Sequence, residues 1–133
     1  MPVQDVLRGQ DWPPRPVRVV PLDVDAGAVA GHRLWVRSVE DWGGWMDVRV
    51  ARVDESGRTP LPRRLPPPDA WAAWLDDEPL TVADMVGRGD RRFSDGELRL
   101  RPGLPTGPAT LVLRVTVHPG EPPLTVGLDL PGA

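Results

Sequence analysis

The chain of 133 residues is long enough for one domain with one core, and its net charge of -3, with no block of like charges, excludes an electrostatic footprint on nucleic acid. Cysteine is absent, so disulfides, thiolate nucleophiles and cysteine metal sites are excluded. No stretch approaches the roughly 20 apolar residues of a membrane-spanning helix, and the start, charged at Asp5, Arg8 and Asp11, does not read as a secretory signal. A cytoplasmic location is therefore expected, unless a longer exported precursor was trimmed.

Residues 1–16 carry Pro2, Pro13, Pro14 and Pro16, which predicts an extended, polyproline-like arm ahead of a domain over 17–133. "VRVVPLDV" (17–24) alternates, with Val20, Leu22 and Val24 on one face. Pro21 lacks a ladder donor and marks this strand as an edge. "DVDAG" (23–27) spaces two carboxylates as a calcium loop does. Glycine stands at the fifth place instead of the sixth and no Glu follows at the twelfth, so it reads as a turn.

"GHRLWVRSVEDW" (31–42) and "WMDVRVARVD" (45–54) read as a hairpin hinged on Gly43-Gly44. A two-residue loop sets Trp42 opposite Trp45 and Val39 opposite Val48. Val39, Met46, Val48 and Val50 then face the core, and the Trp pair lies on the other face with Ser38, Glu40, Asp47 and Arg49.

"PLPRRLPPP" (60–68) predicts a stiff loop, and "PPPDAWAAWLDDEP" (66–79) a two-turn helix over 69–75 with Asp69 as N-cap and Trp71, Trp74 and Leu75 on one side. "LTVADMVG" (80–87) predicts a strand and "RRF" (91–93) a short partner. "GELRLRP", "ATLVLRVTVHP" and "LTVGLDL" place Leu98, Leu100, Leu111, Leu113, Val115, Val117, Leu124, Val126, Leu128 and Leu130 at period two. The whole predicts an all-β, antiparallel two-sheet sandwich of seven or eight strands with one short helix.

With "RLWVRSVEDW" and "WMDVRVARVD" as second and third strands and "LRLRPGLPTGPATLVLRV" as fifth and sixth, the chain resembles bacterial immunoglobulin-like or fibronectin-like sandwiches over residues 17–131. A bacterial source also suits the absence of Lys, Ile, Asn and Tyr, whose codons are AT-rich; the sixteen arginines then carry little functional weight. The cysteine pair and tyrosine corner of antibody domains are missing, so the resemblance implies a fold and no activity. It implies that His32 and His118 lie at opposite ends. It also implies that the Gly43-Gly44 turn and the "HPGEPP" loop (118–123) share one tip, gathering Trp42, Trp45, His118 and Glu121.

No catalytic motif stands out. Ser38, Ser56 and Ser94 sit in no nucleophile elbow, no glycine-rich phosphate cradle follows a strand, and nothing singles out one carboxylate pair among nineteen acids. Arg-Gly-Asp at 88–90 reads as coincidence, and "RRLPPPD" ends in Asp69 where a polyproline ligand would carry its last proline. The expected function is a non-catalytic protein-interaction or accessory module, with no cofactor and no metal, engaging a protein partner or a second copy and neither nucleic acid nor membrane. Trp42, Gly43, Gly44, Trp45, His118 and Glu121 are the candidate binding residues. The alternatives are a carbohydrate-binding module stacking sugars on tryptophan, or a structural subunit of a larger assembly.

Overall fold

The computed structural model describes residues 15–55, 65–89 and 93–133. Residues 1–14 of the predicted arm, much of the proline-rich loop and the arginines of "RRF" lie outside the described residues. In chain order the strands are β1 (Arg18–Val29), β2 (His32–Asp41), β3 (Met46–Asp54), β4 (Trp71–Leu75), β5 (Glu78–Pro79), β6 (Thr81–Gly89), β7 (Phe93–Arg101), β8 (Ala109–Val115) and β9 (Leu124–Leu130). They form two antiparallel sheets: sheet A in the order β1-β2-β3-β7-β6, and sheet B in the order β5-β4-β8-β9. The all-β two-sheet sandwich read from the pattern is the observed class. The described residues hold nine strands, more than the seven or eight expected.

The predicted helix over 69–75 is not formed. Pro68–Ala70 makes a single 3-10 turn with no side-chain cap, and Trp71–Leu75 is strand β4. The pentapeptide "WAAWL" satisfies period two as well as a helical face. In the extended form Trp71 and Ala73 enter the core, while β4 pairs with β8 from Trp71↔Val115 to Leu75↔Leu111. A two-turn helix offers fewer backbone bonds than that ladder and would leave the edge of β8 open. Asp76 and Asp77, both at positive φ, form the two-residue turn from β4 to β5, where a helix exit was expected.

The β2–β3 register agrees with the sequence reading: Val39↔Val48, Glu40↔Asp47 and Asp41↔Met46, closed by Trp42 N–H donating to the Trp45 carbonyl at 2.9 Å. Gly43 holds φ at +91°, the left-handed conformation that the first position of this tight turn requires. β1 is an edge strand, as Pro21 predicts, but "DVDAG" is not a turn. It lies inside β1, with a register break between Asp25 and Gly27 and the Gly27 N–H donating to Asp25 Oδ1 at 2.8 Å.

The core between the sheets is almost wholly aliphatic. Val39, Met46, Val48, Leu98, Leu100 and Leu111 are fully buried, joined by Leu34, Val36, Val50, Leu113, Val115, Leu128 and Leu130. Among the described aromatic residues only Trp71 is buried, its indole N–H donating to the Pro66 carbonyl at 3.0 Å. Leu65 seats against the paired Gly87 and Gly96 of β6 and β7, where a Cβ on Gly96 would meet Leu65 Cδ1 at 2.9 Å.

Candidate functional site

The register fixes which residues share an end of the sandwich. Arg18, opposite Asp41, reaches across to the carbonyls of Pro131 (2.9 Å) and Pro105 (3.1 Å), and Gly103 lies against the Gly43 carbonyl. The Gly43-Gly44 turn therefore sits at the end where β8 begins, beside Ala109↔Leu130. β8 then runs away from it for six residue steps, about 20 Å. His118 and Glu121 follow Val115 at the far end. The expected tip is thus corrected: Trp42, Gly43, Gly44 and Trp45 are together, while His118 and Glu121 are elsewhere, in a turn closed by Glu121 N–H to the His118 carbonyl.

The separation inferred for the histidines is corrected too, since His32, at the start of β2, lies toward the same end as His118. His32 is buried. Its Nδ1 stands 2.8 Å from Nη1 of Arg52, itself 1% exposed, and Arg52 Nη2 donates to Ser94 Oγ at 3.0 Å. A guanidinium has only donors, so the imidazole accepts at Nδ1 in this pair. Arg52 stands between His32 and Ser94 and binds both, an arrangement that braces the interior. Among the described residues no group of three or more His, Cys, Asp or Glu could hold a metal ion.

The Trp pair belongs to a wider surface. Four of the six described aromatic residues, Trp35, Trp42, Trp45 and Phe93, stand on the outer face of sheet A, away from the core. The indoles of Trp42 and Trp45 lie parallel within 8°, centroids 6.0 Å apart, with the Arg99 guanidinium 4.8 Å from the Trp45 ring centre. Both indole N–H groups are occluded and meet no acceptor among the described residues. A buried tryptophan usually bonds that group, so the pair is poorly arranged as a stabilising device.

Beside the pair runs a cross-strand ladder of charge. Arg99 donates to both carboxylate oxygens of Asp47 at 3.0 and 3.2 Å; Arg49 joins Glu40 (3.0 Å) to Glu97 (3.2 Å), and Arg88 continues from Glu97 (3.1 Å) to Asp95 (3.6 Å). Hydrogen bonding to Asp47 raises the pKa of Arg99, and bonding to Glu40 raises that of Arg49, so both stay charged. These groups and Trp42 line a concavity of about 310 Å³ that also takes in Asp84 and the exposed Val86. It holds four carboxylates (Glu40, Asp47, Asp84, Glu97) and two guanidiniums (Arg49, Arg99), and is therefore acidic.

A second concavity on the same face, about 300 Å³, is lined by Asp23, Trp35, Arg37, Ala51, Val53 and Phe93. The sequence reading missed it. A register break between Val36 and Ser38 inverts the alternation of β2, so Leu34 and Val36 face in while Trp35 faces out. Phe93, 45% exposed, opposes Val53 at the start of β7. The period of "RLWV" taken by itself carries that phase, but the break has no mark in the sequence.

Among the described residues no helix is long and apolar enough to cross a membrane. No protein-family model, curated protein or solved structure matches this chain.

Proposed function

We propose that this domain is a non-catalytic interaction module, of the immunoglobulin- or fibronectin-like sandwich type that its strand pattern resembles, and that it docks a partner protein on the outer face of sheet A. One observation carries the reading: the core is aliphatic, and four aromatic side chains stand on that outer face interleaved with an ordered ladder of ion pairs. Aromatic anchors with fixed polar neighbours are the composition of interface centres, and their placement outside the core leaves them available for a partner. The excess of carboxylates beside Trp42 suits a partner that presents an apolar residue next to a positive charge.

The test is a double substitution, Trp42→Ala with Trp45→Ala. A parallel aromatic pair contributes about 0.5–1.5 kcal/mol beyond its area, and two unbonded indole N–H groups offset part of that. Denaturation should show a loss below about 2 kcal/mol, while capture of a partner identified from the source cells should vanish. A loss of stability well above that figure with partner capture intact assigns the pair to packing. Binding of a soluble oligosaccharide in place of any protein would shift the reading to a carbohydrate-binding module.

A further inference from the structure

Sheet B carries a groove of different chemistry, far from the Trp42–Trp45 pair in sequence and on the other sheet. It lies between the 3-10 turn, strand β4 and the start of β6, holds about 480 Å³, and is lined chiefly by Pro68, Asp69, Trp71, Trp74, Pro79 and Leu80. Its walls are fixed. Ala70 N–H donates to the Pro67 carbonyl, Leu80 N–H to the Ala73 carbonyl, and the Trp71 indole to the Pro66 carbonyl, at 2.9, 2.9 and 3.0 Å. Trp74 is half-buried, opposite Pro79 in the β4–β5 pair, with the Arg114 guanidinium 5.1 Å from its ring centre. The surroundings are acidic: Asp69, Asp77 and Glu78 are exposed, and Asp76 accepts the Thr110 N–H at 2.9 Å.

We propose that this groove binds a proline-rich segment of a partner protein that carries arginine or lysine beside its prolines. An indole flanked by prolyl rings is a flat apolar wall suited to the rings of a polyproline helix. Such a ligand loses little conformational freedom on binding, because it is already extended. Among the described residues the exposed carboxylates set the polarity: Asp69, Asp77 and Glu78, with Asp76 tethered by its backbone bond, outnumber Arg114, and this excess of acid selects a basic over an acidic peptide. A small polar ligand is poorly served, since Asp69 is the one charged residue in the lining.

The experiment titrates the whole chain with three synthetic peptides of equal length, followed by the indole N–H resonances of the tryptophans. One alternates proline with arginine, one replaces each arginine by glutamate, and one replaces each proline by alanine. The proline–arginine peptide should shift the Trp74 resonance at least tenfold more tightly than either of the others. Trp74→Ala should weaken its binding at least tenfold with an unchanged far-UV spectrum. Asp69→Asn with Glu78→Gln, which leaves the Trp74 wall in place, should weaken it several-fold and flatten its salt dependence. The Trp42→Ala, Trp45→Ala double variant should bind the peptide as the parent does, which keeps this site separate from the one on sheet A. Equal binding of the glutamate peptide, no shift at Trp74, or undiminished affinity in Trp74→Ala would each overturn the proposal. So would a concentration-dependent dimer of the chain that Trp74→Ala dissolves, because the groove would then serve a second copy.

Discussion

His32 and Arg52 show how one residue's phase decides its chemistry. Arg52 follows Met46, Val48 and Val50 at period two, and that spacing sends a guanidinium into the core, where it binds His32 and Ser94. The phase is legible in "MDVRVAR", but the partners that make a buried cation tolerable include His32 on β2 and Ser94 on β7, both distant in sequence. Removing the imidazole withdraws an acceptor from a buried donor. His32→Ala should cost about 1–3 kcal/mol in urea denaturation, and His32→Gln, which keeps an acceptor, clearly less. Asp25 gives the pH-dependent counterpart. The Gly27 N–H, then the Arg33 guanidinium, hold its carboxyl below the usual aspartate range. Because the folded value is depressed, its contribution is full above the unfolded value, about 3.9, and fades as pH falls through the folded one. The stability gap between Asp25→Asn and the parent should thus be present at pH 7 and close below about pH 3.9.

The elements were legible where two signals agreed. Residues 36–54 combined alternation with a Gly-Gly turn, so the register, the inward face and the outer-face placement of the Trp pair followed together. "WAAWL" offered no such agreement, because five residues fit a strand and a short helix alike. What settled it was the unpaired edge of β8, forty residues later in the chain and silent in the local sequence. β8 is the element on which this depends: Leu111, Leu113 and Val115 face the core while its backbone joins β4 to β9. Leu113→Ala should cost about 2–5 kcal/mol in chemical denaturation. A loss under 1 kcal/mol would mean that its inward face is misassigned.

Across the whole molecule the aliphatic core and the aromatic outer surface divide the apolar residues by role. Aliphatic side chains and Trp71 close the space between the sheets, and the other described tryptophans, each with a flat face and a polar edge, stand outside it. Where the loops gather was not legible, since that depends on which strands share a sheet. β1, β2 and β3 are consecutive in sheet A, which carries Trp42 and Trp45 to one end and leaves His118 and Glu121 at the other. We propose that the outer face of sheet A docks a partner. Photo-crosslinking from a reactive residue tests it most directly, placed either at Val86, 52% exposed beside the acidic concavity, or at Asp129 on the outer face of sheet B. The predicted result is one identified protein adduct from position 86 that disappears in the Trp42→Ala, Trp45→Ala background and never forms from position 129; the same adduct from position 129, or one at position 86 that survives loss of both tryptophans, would contradict it.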